Sequence, residues 1–269
     1  MKILSRLLLC SVLLILTNNV KADAQLAKFN VPNDSSIPEG PQGVAIRQGK
    51  KILNETRVLL PNNVGNALNC TSCHLSSGTA PKAAPFVGLW GIFPEFNQRD
   101  GHVVTLSQRI NDCFERSMNG QPISYTSEEM INMLAYMNWL STGVPTGQEV
   151  SGRGFGKIDL NLTPDSVRGK VLYAQKCSSC HGADGGGLKL PTGSYIFPPL
   201  WGDHSFNDGA GMARTSTAAA FIRYKMPEGM DGSLTDQEAL DIAEFFAHQP
   251  RPKYKLSSIA TPGKNHVKE

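Results

Sequence analysis

The chain has 269 residues, of which 40% are hydrophobic, and 26 Lys and Arg against 23 Asp and Glu give a formal net charge of +3. That near-balance argues against nucleic acid as a partner, and no segment after the N-terminus is apolar enough to span a bilayer. The length suits one large domain or two of about 100 residues each.

Residues 1–24 read as a secretory signal peptide. Lys2 and Arg6 make a positive start, Leu7 to Leu16 an apolar stretch, and Ala22-Asp23-Ala24 an A-x-A cleavage site. Export to the periplasm and a mature chain of roughly 245 residues beginning at Gln25 are therefore expected. Cys10 leaves with the leader, no lipobox precedes it, and five cysteines remain. Residues 25–45 read as an irregular arm.

The mature chain then uses one unit twice. Gly49-Lys50-Lys51-Ile52-Leu53 precedes Cys70-Thr71-Ser72-Cys73-His74, and Phe86-Val87-Gly88-Leu89-Trp90 follows it. Gly169-Lys170-Val171-Leu172-Tyr173, Cys177-Ser178-Ser179-Cys180-His181 and Phe197-Pro198-Pro199-Leu200-Trp201 repeat the order. C-x-x-C-H is the attachment signature of c-type haem: two thioethers hold the porphyrin and the His ligates iron. Two covalent haems are expected, through Cys70, Cys73 and His74 and through Cys177, Cys180 and His181.

Each unit closes on an amphipathic helix. Thr126-Ser127-Glu128-Glu129 reads as a capping box before Met130, Met133, Leu134, Met137 and Leu140. Thr235-Asp236-Gln237-Glu238 reads as the same device before Ala239, Ile242, Ala243 and Phe246. This order resembles the class I cytochrome c fold. The fold class is therefore mainly α, with two tandem class I cytochrome c-like haem domains. They occupy 25–150 and 165–269, joined by a Gly/Ser/Pro-rich linker at 151–164. Residues after Pro250 read as a basic, polar surface tail.

The distal ligands differ between the halves. In the second, Lys225-Met226-Pro227 stands just before the last helix, which favours Met226, with Lys225, Met230 and Met212 as alternatives. The first half has no Met-Pro at that stage. It offers Cys113, with Met118 and His102 as alternatives; a buried inert thiol or an intermolecular disulfide are the other fates of an odd cysteine. A helix over 107–118 would place Arg109, Cys113 and Ser117 on one face, with Arg116 at its edge. Cations beside a thiol favour thiolate and attract anions.

The two C-x-x-C-H motifs, the block Arg-Ile-Asn-Asp-Cys-Phe-Glu-Arg-Ser-Met-Asn-Gly at 109–120 and Lys-Met-Pro at 225–227 together resemble the dihaem thiosulfate dehydrogenases, also called tetrathionate reductases. The resemblance covers about residues 45–250. It implies an oxidoreductase that interconverts thiosulfate and tetrathionate, with a His/Cys-ligated first haem. It implies Cys113 as iron ligand and reactive thiol, Arg99, Arg109 and Ser117 as active-site residues, and Lys225 and Met226 as exchanging ligands of the second haem. A soluble or membrane-bound cytochrome or another redox partner would exchange the electrons. Direction of reaction, haem potentials and oligomeric state have no signature in the sequence. A non-catalytic dihaem carrier would prefer Met or His on both irons. A Sox-type sulfur-oxidation subunit would need a partner subunit and a carrier-protein substrate. A dihaem peroxidase would need calcium-site features that the sequence lacks.

Overall fold

A computed structural model describes residues 26–191 and 193–255. The expected leader at 1–24 and the end of the C-terminal segment lie outside them. Six helices of eleven residues or more are α1 (Pro41–Asn54), α2 (Leu106–Arg116), α3 (Glu128–Leu140), α4 (Ser166–Lys176), α5 (Thr215–Lys225) and α6 (Asp236–Ala247). Two antiparallel hairpins, β1 (Glu95–Asn97) with β2 (His102–Val104) and β3 (Leu188–Lys189) with β4 (Tyr195–Phe197), precede α2 and α5 respectively.

The repeat in the sequence is a repeat in space. α1 crosses α3 in the first half, and α4 crosses α6 in the second. A Cβ at Gly49 would lie 2.0 Å from Asn132 O, and one at Gly169 would lie 1.9 Å from Asp241 O. A glycine inside a helix costs about 1 kcal/mol relative to alanine. Both halves accept it because the paired backbones touch where a side chain would stand. That contact explains the shared Gly-Lys ahead of each haem motif. One buried apolar cluster runs from Ile46, Leu53, Met130, Met133 and Met137 through to Tyr173, Trp201, Leu240 and Phe246. The methionines of α3 are thus core.

Three local expectations need correction. The first helix starts at Pro41 inside the expected irregular arm, because Gly40 takes φ 82° and Pro41 fits the first helical position. Thr126 does not cap α3; the Ser127 side chain accepts from Met130 N–H instead, one residue later. The segment after Pro250 packs as far as 255. Arg251 donates to Leu200 O and Phe246 O, and Tyr254 N–H donates to Asp208. The Thr235 box with Glu238 forms as expected, and Thr105 with Gln108 makes another at the head of α2.

The connecting segment is tied at both ends. Lys82 N–H donates to Gly152 O and Ala84 N–H to Gly154 O, and Asp159 N–H donates to Asp236. No helix among the described residues is long and apolar enough to cross a membrane.

Candidate active site

Both haem motifs are built alike. The His74 Nδ1 lies 2.6 Å from Ala84 O and the His181 Nδ1 lies 2.9 Å from Pro198 O. A carbonyl partner requires the proton on Nδ1, so each ring keeps its Nε2 lone pair for a metal. Burial supports the neutral ring: it pushes His74 down to about 4 and lowers His181 as well. Phe86 packs on the His74 ring at 4.5 Å, and Phe197 meets the His181 ring edge-on at 6.2 Å. These contacts account for the phenylalanine repeated after each motif. Cys70, Cys73, Cys177 and Cys180 are all free of disulfides.

Two cavities take in these groups. Cys70, Cys73 and His74 share the first with Cys113, Ser117 and Met118, among apolar walls that include Leu53, Phe86 and Phe114. The second has about 430 Å³ of space and takes in Cys177, Cys180, His181, Met212 and Met226. Thr71, Ser72 and Cys73 of the first motif form part of its wall, so the two sites abut. Paired thiols, a metal-ready imidazole, apolar walls and a soft distal sulfur on each side fit c-type haem at both places.

The distal side of the first cavity is made by α2. Its helical spacing brings Arg109 over Cys113, and Arg109 Nη1 donates to Cys113 Sγ at 3.1 Å. Cys113 is the largest influence raising the Arg109 guanidinium above its ordinary value. Ser117 caps the C-terminus of α2 and faces the same cavity. Met118 also lines it, whereas His102 lies on β2 with its ring Nδ1 3.0 Å from Asp100 O. On the second side, Met226 and Met212 line the cavity. Lys225 Nζ instead donates to Asp231 at 2.6 Å, and Met230 is exposed.

Arg99 reaches the site from elsewhere. It sits in the turn between β1 and β2, and its Nη1 donates to Gly209 O of the second half at 3.0 Å. Partial burial holds its guanidinium below the ordinary value, and Arg214, Arg116 and Arg109 push the same way, in that order. Arg116 is neutralised by Asp100 at 3.1 Å and stacks on the Tyr254 ring at 4.5 Å. The structure therefore joins Arg109 to Cys113 by a hydrogen bond and sets Ser117 in the same cavity as Cys113, while Arg99 stands apart from that cavity's lining, on the Gly209 carbonyl.

Two residues of this region carry no mark in the sequence. Arg214 precedes α5 in the second half, and its guanidinium and that of Arg99 approach the same point beside Gly211. Asn207 is 1% exposed, donating from Nδ2 to Glu115 O at 2.8 Å and from its backbone N–H to Arg116 O at 3.3 Å. Both lie about a hundred positions from their partners in a region without periodicity. A buried Asn outside any helix is the one signal that points to the second.

These features define a dihaem c-type cytochrome of tandem helical domains, and a fifth cysteine, Cys113, lines the cavity of its first motif. Residues 62–146 match the SoxA/TsdA cytochrome c domain family, and residues 166–249 match the cytochrome c family. A thiosulfate dehydrogenase of Psychrobacter arcticus is 51% identical over 83% of this chain and 68% of its own. One from Allochromatium vinosum is 49% identical over 84% of this chain and 86% of its own. The solved thiosulfate dehydrogenase TsdBA of Marichromatium purpuratum superposes with a TM-score of 0.80 at 37% identity. That match covers 87% of this chain, which spans about half of the longer solved one. The chain belongs to the thiosulfate dehydrogenase family.

Proposed function

We propose that this chain interconverts thiosulfate and tetrathionate at its first haem, with Cys113 as the thiol that bonds to sulfur. The observation that carries this reading is the Arg109 guanidinium 3.1 Å from the sulfur of Cys113, which lines the first haem cavity. The relatives' shared name, thiosulfate dehydrogenase, supports it.

The chemistry demands what the site offers. Two thiosulfate dianions must approach one another, so fixed cations have to offset their repulsion in a partly dry pocket. Arg109 and Arg99 present planar forks that match sulfonate oxygens, and Ser117 adds a hydroxyl donor. Cys113 thiolate joins the outer sulfur of one thiosulfate, forming Cys–S–S–SO3⁻ and releasing two electrons. The outer sulfur of a second thiosulfate then attacks the adduct sulfur that bears the sulfonate. Tetrathionate leaves, and Cys113 departs as thiolate. Tetrathionate reduction runs these steps backwards. When bound, the two haems supply the redox capacity for those electrons.

Within this reading residues 25–150 carry the chemistry and residues 165–269 the onward transfer, with 151–164 between them. His74 and Cys113 would hold the first iron, and His181 with Met226 the second. Met226 already faces its cavity, while Lys225 must leave Asp231 to replace it. A soluble or membrane-bound cytochrome or another redox partner exchanges electrons at the second site. The leader at 1–24 delivers the chain to the periplasm.

Anaerobic turnover of the holoprotein tests this. Thiosulfate-dependent ferricyanide reduction, or tetrathionate-dependent oxidation of a reduced viologen, is expected. Failure in both directions with both haems attached would leave a non-catalytic carrier.

A further inference from the structure

Besides Asn207 and the Gly209 carbonyl, the second domain brings one charged side chain toward the Arg99 turn of the first. Arg214 stands at the head of α5. A Cβ built on Gly211 would lie 3.8 Å from Arg99 Nη2 and 3.9 Å from Arg214 Nη2, with no other heavy atom beyond its chain neighbours within 4 Å. One guanidinium from each domain therefore closes on the same point.

Each donates its hydrogen bonds to neutral groups. Arg99 donates to Gly209 O, and Arg214 donates to Thr217 Oγ1 through Nε at 3.3 Å and Nη2 at 3.2 Å. Among the described residues neither forms an ion pair with a carboxylate, whereas neighbouring Arg116 has Asp100. The one carboxylate that acts on Arg99, Asp100, is already paired with Arg116, so the two cations repel one another, and an anion between them removes that cost. Arg214 is also the strongest of the charged neighbours that hold Arg99 below its ordinary value.

We propose that Arg99 and Arg214 form a second sulfonate subsite across the domain seam. It would take the far sulfonate of tetrathionate, or that of the incoming thiosulfate, while Arg109 serves the sulfur bonded to Cys113. This assignment rests on the thiosulfate–tetrathionate reading. Its chemical basis is that tetrathionate carries a sulfonate at each end, separated by two sulfurs. A single cation beside Cys113 serves one end only. The seam supplies a fork for the other, and bidentate guanidinium–oxyanion bonds give it direction. Each bond made or broken stays at Cys113; Arg99 and Arg214 bind and orient.

The test is steady-state kinetics of the full-length holoprotein in both directions, as wild type, Arg214→Gln and Arg214→Lys. Arg214 is exposed and has one side-chain partner, so both variants should fold with both haems. Arg214→Gln should raise the KM for tetrathionate roughly tenfold, as expected for the loss of a charge-assisted contact, with the loss falling on KM rather than on kcat. Arg214→Lys, which keeps the charge but not the fork, should fall between. A KM within twofold of wild type for Arg214→Gln, or a Lys variant as impaired as the Gln variant, would overturn the subsite. Wild-type turnover beside an unaffected Arg214→Gln sinks this assignment alone. A wild type inactive toward both substrates sinks the functional reading first, and this one with it.

Discussion

The two distal helices, α2 and α5, hold the clearest lesson of the molecule. Both follow a hairpin and both lead to a sulfur at a haem cavity. α5 packs along α6 of its own domain and ends in its own terms, with Met226 N–H bonded to Ile222 O and the Met226 side chain lining the cavity. α2 carries its sulfur inside the helix and touches α3 at only a few residues. Its last carbonyls are instead taken up by loops: Asn66 Nδ2 donates to Ser117 O, and Asn207 of the second domain caps Glu115 and Arg116. The second distal helix is completed within its own domain, although the first motif walls part of its cavity. The helix finished by its neighbour presents Cys113 to the first cavity with Arg109 hydrogen-bonded to its sulfur.

Four substitutions probe that contrast, in descending order of effect. Cys113→Met turns the first distal side into a copy of the second. Haem and fold should persist, and turnover in both directions should fall at least about 1000-fold, as for loss of a covalent participant. Substantial remaining activity would remove the covalent step. Arg109→Ala should raise the apparent KM for thiosulfate roughly 10- to 100-fold, the cost of one lost charge-assisted contact at a developing anionic centre. An unchanged KM would make Arg109 an ordinary surface cation.

Met226→Ala probes the other helix. Loss of a Met ligand should lower the potential of the second haem, because Met/His ligation raises it. Lys225 stands one residue away to replace Met226 once freed from Asp231. Redox titration with optical detection reads both effects, and an unchanged potential would assign the ligand elsewhere. Asn207→Ala should cost about 1–3 kcal/mol of stability by stranding the Glu115 carbonyl of α2 and the Asn119 side-chain oxygen, both of which accept from Asn207 Nδ2. Turnover should fall several-fold while the potential of the second haem stays put. Equal disturbance of both haems would mean that α2 and α5 are not built independently.

Much of this is legible in the chain. The haem motifs, the doubled Gly-Lys and the doubled Phe each reflect a contact that recurs in both halves: a helix crossing for the glycines, and a ring against the proximal His for Phe86 and Phe197. Arg109, Cys113 and Ser117 stand out because helical periodicity is local. What periodicity cannot convey is contact between halves. Arg214 and Asn207 matter through partners on the other domain, and nothing in their neighbouring residues marks them. The start of α1 escapes for a different reason: Pro41 reads as a breaker, although at the first helical position its missing N–H is no loss.

The most direct test of the account is the mass of Cys113 itself. Holoprotein oxidised by ferricyanide with limiting thiosulfate would be quenched before a second thiosulfate discharges it, and its peptides mapped by mass spectrometry. The account predicts a single thiosulfate-derived adduct on Cys113 that disappears, with tetrathionate formed, when more thiosulfate is added. Full turnover with Cys113 never modified would contradict it.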